Sequence, residues 1–416
     1  MVVCYLAMAF NKTLLILGTG LDQVPGIKKA KELGLYTIGL DINPNTPGVK
    51  LVDEFYKVNV KDIDEVSAFV SNYKDKKIDA AIAFGVDIPH ILAKVAKILN
   101  IPYYTNYELA SISQNKYLAK EQLKKFNVKI PPYKKVEDFS MLKEAISEFG
   151  FPCVLKPVDN CGSRGVLRLT KDTDLKWAYN FSKSYSKIGE LILEKFLDGP
   201  QISSESIIIN GNVYTIGLSH RNYEYLERFS PFIIENGGDL PPSFLSDSIK
   251  KAIDVEIEKA AQAFGVNKGI IKGDIVIHNQ EVYIIEIALR LSGGHFSSIE
   301  IPLNTGVDFL KYAILLAIDD TIDTTELAYK SINYVALRYI FPYRSGTIKE
   351  LSFPSFVTQH PLIHSYGLYY KVGDKASYPV KNHTERLGYF ILSSNSRNSI
   401  KTAIKDIYNN IKLTIQ

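Results

Sequence analysis

Asp274 and Glu286 stand on two runs, residues 273–277 and 282–290, that read as strands joined by His278-Asn279-Gln280-Glu281. That pairing places the two acids side by side, with Arg290 four residues after the second. Paired carboxylates hold hard divalent cations, and a nearby guanidinium steadies charge that moves during transfer, so the trio suits a site where Mg²⁺ or Mn²⁺ carries phosphate. Alone, the pattern fits an ordinary hairpin with acids facing water better, because strand residues alternate between faces whatever their chemistry.

Three further segments change that balance. Residues 151–157 are a short apolar strand carrying Lys156, followed by Asn160-Cys161-Gly162-Ser163-Arg164-Gly165. Glycine lets backbone N–H groups approach phosphate oxygens, and the lysine supplies the positive charge a polyphosphate needs. The lysine precedes the glycines, so this is not a Walker A loop. Residues 191–200 run as an apolar strand through Glu194, Lys195, Phe196 and Leu197 into Asp198-Gly199-Pro200, where strand-end backbone can read an adenine edge. Asn115-Lys116 precedes a helix from Tyr117 to about Phe126, which residues 128–132, with Pro131-Pro132, break. A lysine at a helix start is, on sequence alone, usually solvated.

In this order and spacing, the lysine, glycine loop, hinge and acidic hairpin resemble the ATP-grasp superfamily over most of the chain. The resemblance implies that Lys116 and Lys156 contact ATP phosphates and that Gly162, Ser163, Arg164 and Gly165 cover them. Glu194, Lys195, Phe196 and Leu197 would border the adenine, and Glu205, with Asp198 as its rival, would bind the ribose. Asp274 and Glu286 would hold the metal. Arg290 and Lys156 would be catalytic, and Arg221, Arg290, Ser292, Gly293 and Gly294 would meet the substrate. Arg221 lies among Tyr223, Tyr225, Phe229 and Phe232, and the residues leave a surface arginine among core aromatics equally open.

The implied activity is that of an ATP-dependent ligase that activates a carboxylate as an acyl phosphate and couples it to an amine or similar nucleophile, releasing ADP and phosphate. Relatives have an asparagine two residues after the second acid, whereas Ala288 stands here and offers no ligand, leaving the number of metal ions open. The Glu-x-Ala-x-Arg form is most similar to the L-amino-acid ligase branch, so the amino-acid type is preferred. A formate- or bicarbonate-using enzyme of the formyltransferase or carbamoyl-phosphate type is the alternative, and a non-catalytic nucleotide-binding protein is another.

The rest of the chain must position these groups. Its 416 residues, 46% hydrophobic, suffice for two or three domains. Residues 13–17 form a strand ending in Gly18-Thr19-Gly20, a helix follows, and a second strand ends at Asp41, a βαβ start. A dinucleotide fingerprint is incomplete here, because the third glycine is displaced to Gly26. The expectation is an α/β and α+β protein of ATP-grasp fold: a Rossmann-like domain over residues 1–108, the ATP-grasp domain over 109–330 with a lid at about 128–190, and a C-terminal α+β cap over 331–416.

The formal charge of +4 is too small to imply nucleic acid, and no run reaches a membrane span. Cys4, Cys153 and Cys161 lack metal-ligand spacing and cannot all pair, which points to the reducing cytoplasm. Met8 rather than Met1 is a candidate start, since the first strand begins after Asn11-Lys12. Expected partners are a small carboxylate and an amine, and the resemblance admits a homodimer.

Overall fold

A computed structural model describes residues 11–416; Cys4 and the choice between Met1 and Met8 lie outside them. Strands β1 (Thr13–Leu17), β2 (Tyr36–Asp41), β3 (Glu54–Lys57) and β4 (Ala80–Ile82) form a parallel sheet in the order β3-β2-β1-β4. Every residue of β1 is buried, as a parallel strand covered on both faces requires. In the turn after β1, Thr19 N–H donates to Asp41 Oδ2 at 2.8 Å. The carboxylate a dinucleotide ribose would need is thus engaged in holding the glycine turn. A Cβ on Gly26 would lie 2.4 Å from the Phe84 ring, so that glycine serves helix-to-sheet packing. The domain is Rossmann-like in topology without the dinucleotide fingerprint.

A second, antiparallel sheet has the order β5-β8-β6-β7, from β5 (Tyr133–Val136), β6 (Cys153–Pro157), β7 (Leu167–Leu169) and β8 (Leu191–Lys195). Two helices cover it, Phe139–Phe149 and Leu175–Ser184. Their first turns are capped by the carboxylates of Asp138 and Asp174, which accept backbone N–H groups that have no intrahelical partner. Because β8 lies inside this sheet, the sheet runs through Lys195, past the residue near 190 where the lid was expected to end.

The largest sheet begins with β9 (Gln201–Ile209), β10 (Asn212–Arg221), β11 (Gly238–Leu240), β12 (Lys268–His278) and β13 (Glu281–Ala288). The C-terminal residues add β14 (Tyr334–Ile340), β15 (Gly346–Ser352), β16 (Ile363–Leu368), β17 (Lys375–Ala376), β18 (Gly388–Ser394) and β19 (Lys412–Ile415). The eight-stranded order is β13-β12-β9-β10-β11-β14-β18-β16, so the C-terminal α+β cap is built directly onto the middle domain's sheet, and β17-β15-β19 form a small sheet beside it. Helix Arg397–Asn410 buries Ile400, Ala403 and Ile407 against Phe390 and Leu392 of β18. Helix Asp247–Ala263 backs β12 and β13 with Ile253, Ile257 and Ala260. Among the described residues, no helix is long and apolar enough to cross a membrane.

Candidate active site

Asp274 of β12 and Glu286 of β13 are direct partners in an antiparallel register, and the ladder shifts immediately afterwards, between Asp274 and Ile275. Residues opposite one another share a face, so both carboxylates project on the same side of the hairpin. Asp274 Oδ1 accepts from Lys272 Nζ at 2.7 Å and Ser203 Oγ at 3.2 Å, and lies 3.0 Å from Arg221 Nη1. Burial alone would raise the Asp274 carboxyl, but Arg221 and Lys272 override it and hold the group far below the usual carboxylate range. Glu286 Oε1 is 3.3 Å from Lys116 Nζ.

Lys116 starts the helix Lys116–Lys125, capped by the Asn115 side chain, and its ammonium donates to the Asn160 carbonyl at 2.5 Å. The helix start and glycine loop are thereby joined. Burial disfavours the Lys116 charge, yet Glu286 and Asp87 more than compensate, so its pKa is raised. Lys156, 5% exposed, projects from β6, with Nζ 2.7 Å from Glu194 Oε1. Lys120 approaches the same oxygen at 3.3 Å and donates to the Ile285 carbonyl at 3.0 Å. Burial is the main cause that brings Lys120 down to about 8.

Lys116, Lys156, Asp274 and Glu286 line a cavity of about 240 Å³ with Gly162, Ser163 and the hinge from Glu194 to Leu197, and Lys120 stands behind its wall. Gly162 has φ +67°, and a Cβ there would meet only the Arg164 guanidinium, at 3.7 Å, so the loop's cleft side is open. Ser163 Oγ donates to the Ile233 carbonyl, and Arg164 Nε donates back to the Cys161 carbonyl. Gly165 is a packing glycine, since a Cβ would fall 2.8 Å from both Pro157 and Tyr185. Neither Arg164 nor Gly165 lines the cavity. At the hinge, Lys195 and Phe196 N–H groups donate to the Pro132 and Pro152 carbonyls, and the Lys195 ammonium turns to the Phe149 carbonyl. The Leu197 N–H has no hydrogen-bond partner among the described residues, which suits it to an adenine nitrogen.

A second cavity, about 540 Å³, adjoins the first. Arg221, Lys272, Arg290 and His383 line both. Arg221 pairs with Glu235 Oε2 as well as Asp274. Arg290 Nε lies 3.2 Å from Asp87 Oδ1 of the N-terminal domain. Ser292, Gly293 and Gly294 form the turn at this cavity's edge, and Gly85 packs so close to Gly293 that a Cβ would be 3.1 Å from its Cα.

Glu205 does not join the nucleotide cleft. It is fully buried on β9, and its carboxyl accepts from Ser292 N–H and Ser297 Oγ, each at 2.8 Å. Burial pushes it up to about 7 against those hydrogen bonds. It braces the Ser292 turn and lines neither cavity. Asp198, the rival, is exposed and lines neither cavity.

Lys120, Lys272, His383 and Arg386 escaped the sequence reading. Two of them carried a signal. Lys120 lies four residues after Lys116, hence on the same helix face, and Lys272 lies two before Asp274, hence on the same strand face. His383 and Arg386 come from an irregular segment with no period to read, where His383 N–H donates to the Gly162 carbonyl at 3.2 Å.

Asp274 and Glu286 could offer carboxylate oxygens to a divalent cation, and no group of three or more His, Cys, Asp or Glu residues suited to a metal occurs among the described residues. Two carboxylates completed by phosphate oxygens and water suit Mg²⁺, which dehydrates reluctantly and seldom uses an all-protein cage.

Residues 113–294 match the ATP-grasp domain family. The carbamoyl phosphate synthase large chain of Vibrio cholerae is 25% identical over 263 residues, covering 62% of this chain and 24% of its own length. Formate-dependent phosphoribosylglycinamide formyltransferase of Methanococcus maripaludis is 24% identical over 195 residues, covering 45% of this chain and 48% of its own length. The chain thus spans from about a quarter to a half of these two curated relatives. Among solved structures, L-amino acid ligase from Bacillus licheniformis superposes with a TM-score of 0.82 at 20% identity, covering 98% of this chain and 99% of that one. Phosphoribosylglycinamide synthetase from Anaerococcus prevotii gives 0.73 at 24% identity, covering 98% and 100%. At these identities the structural likeness establishes the fold.

Proposed function

From a chain whose residues 113–294 are an ATP-grasp domain, we propose an ATP-dependent ligase that activates a carboxylate as an acyl phosphate and couples it to an amine, releasing ADP and phosphate. The observation that carries this reading is the seam between the cavities. Arg221, Lys272, Arg290 and His383 line both, beside the paired carboxylates. A phosphoryl group leaving one chamber for a carboxylate in the other would cross a boundary lined by three cationic side chains, where developing charge is stabilised without reorganisation.

In this reading Lys116 and Lys156 hold the ATP phosphates under the Gly162 turn, and the hinge at Leu197 holds the adenine. Asp274 and Glu286 hold the divalent cation, which supplies charge neutralisation on the phosphates when bound. The acceptor carboxylate oxygen attacks the γ-phosphorus in line as the bond to ADP breaks, and Arg290, positioned by Asp87, stabilises the transferring group. The lid excludes water that would hydrolyse the acyl phosphate. The amino-acid type is preferred, since the second cavity has room for substrates larger than formate or bicarbonate.

Screening pools of amino acids and small carboxylates for ADP and phosphate release tests the proposal. Release that needs both a carboxylate and an amine supports it. ADP release with formate or bicarbonate as the only acid would move the assignment to the small-acid class, and Mg·ATP binding without turnover in any pool would leave a nucleotide-binding protein.

A further inference from the structure

The second cavity contains an acid that the scheme above leaves unused. After the Ser292 turn the chain makes one π-helical turn, Phe296–Glu300. Such a turn inserts an extra residue, re-aims the side chains that follow, and recurs at functional sites. It ends on Glu300, which is 3% exposed and lines the cavity. Its carboxyl has no hydrogen bond or ion pair with any described residue. The charged groups that act on it are Glu235, Asp239 and Glu205, which repel its charge, and Arg338, whose Nη2 donates to both oxygens of Asp239. Burial first, and those three acids next, push Glu300 up to about 8.

A carboxyl only 3% exposed and with no donor is costly, and the group that relieves it is a cation or an N–H donor. The same cavity offers the opposite kind of vacancy in Arg386. Its guanidinium lies 3.7 Å from the centroid of the Tyr339 ring, and Nη2 donates to the Glu235 carbonyl at 2.6 Å and lies 3.8 Å from Glu235 Oε1. Its Nε, however, is buried with no hydrogen-bond partner. An unmatched acceptor and an unmatched donor in one chamber call for a molecule bearing both charges.

We propose that Glu300 receives the amino group of the nucleophile and accepts the proton it sheds, and that the nucleophile is a zwitterion, an α-amino acid or short peptide, with its carboxylate toward Arg386. This deepens the ligase reading and rests on it. Binding of the ammonium displaces the proton that Glu300 holds in the empty cavity, because an opposite charge favours the ionised carboxyl; one ammonium N–H bond then breaks and its proton passes to the Glu300 carboxylate. The freed nitrogen lone pair forms the C–N bond at the acyl carbon, the bond from that carbon to the phosphate oxygen breaks, and the second proton departs with the phosphate: RCO–OPO₃²⁻ + R′NH₂ gives RCO–NHR′ + HPO₄²⁻.

The test reads binding apart from turnover. The full chain, loaded with Mg·ADP, is melted with a pool of the twenty standard L-amino acids and, separately, with the matching deaminated acids. The amino pool should raise the melting temperature of the wild type, the deaminated pool should not, and Glu300→Gln should lose the shift while Glu300→Asp keeps part of it. In ADP-release assays Glu300→Gln should raise the KM for the amine tenfold or more with the KM for ATP unchanged. Equal shifts in wild type and Glu300→Gln, or no shift of the wild type by the amino pool, would overturn the assignment. An amino-specific, Glu300-dependent shift without ADP release would instead retain the amine site and remove the ligase reading.

Discussion

The Nζ of Lys156 lies 2.7 Å from Oε1 of Glu194, with the two side chains 6% and 3% exposed. Because Lys120 reaches the same oxygen, two ammonium groups share one carboxylate, and this buried trio holds a surplus positive charge before nucleotide arrives. Burial opposes the Glu194 charge, but Lys120 and Lys156 override it and lower its pKa. Lys156→Ala should therefore weaken ATP binding by tenfold or more, about 1.4 kcal/mol or above. It should also lower stability, by less than the roughly 3–5 kcal/mol typical of stripping one partner from a buried pair, since Lys120 still compensates Glu194. Unchanged ATP affinity by calorimetry in a folded Lys156→Ala variant would remove this lysine from the phosphate site.

The pairing of Asp274 with Glu286 was legible because two apolar runs around a four-residue polar turn permit few registers. The helix that follows Asn115 was legible for a similarly local reason, a polar start and a proline break after it. Glu205 was misplaced because its strand is buried on both faces, Ile202 and Ser204 through Ile208 alike, so alternation gave no clue to where its side chain pointed. Arg386 and Glu300 depend on contacts between segments far apart in sequence, and Glu300 also on a π-helical turn that has no sequence period. The sheet of β5 to β8 runs past the expected end of the lid near 190 to Lys195 because the hinge strand pairs with β5 and β6, a tertiary fact.

Ala288 faces Lys272 across the hairpin, on the same side as Glu286 two residues before it. An asparagine there would bring an amide oxygen beside Asp274 and Glu286, the pair proposed to hold the cation, and near an ammonium that now donates to Asp274. Ala288→Asn should shift the Mg²⁺ titration of ATPase or ligase activity to lower concentration, provided its added volume is tolerated. A titration curve superimposable on the parent's, with the same turnover, would show that position 288 does not address the metal.

Glu205 and Glu300 give the fold a signed pH dependence. Both carboxyls are raised from 4.5, to about 7 and about 8, so the native state keeps protons that the unfolded chain has released. Their contributions to stability are fully present below about 4.5 and are lost as pH rises through about 7 for Glu205 and about 8 for Glu300. Relative to its Glu205→Gln or Glu300→Gln variant, which cannot titrate there, the parent should lose stability from pH 5 to pH 8. Denaturant melts across that range measure it, and difference curves that stay flat or rise with pH would contradict the raised proton affinities.

The two charged ends of the hairpin should fail in different ways. Glu286 faces Asp274 and Lys116, so removing it takes away a carboxylate proposed for the metal and leaves the Lys116 ammonium without its carboxylate partner. Glu286→Ala should weaken Mg·ATP binding and abolish turnover together. Arg290 stands at the seam, held by Asp87 from the N-terminal domain, and would act mainly when phosphoryl charge moves to the acceptor. Arg290→Ala should keep nucleotide affinity within several-fold and lose kcat by about a hundredfold or more, the scale of removing one transition-state donor. Asp87→Ala should follow Arg290→Ala in kind but more mildly, because it frees the guanidinium without deleting it. Nucleotide calorimetry beside single-turnover ADP formation separates the cases, and tight ATP binding by Glu286→Ala together with parental turnover in Arg290→Ala would leave the hairpin as structure alone.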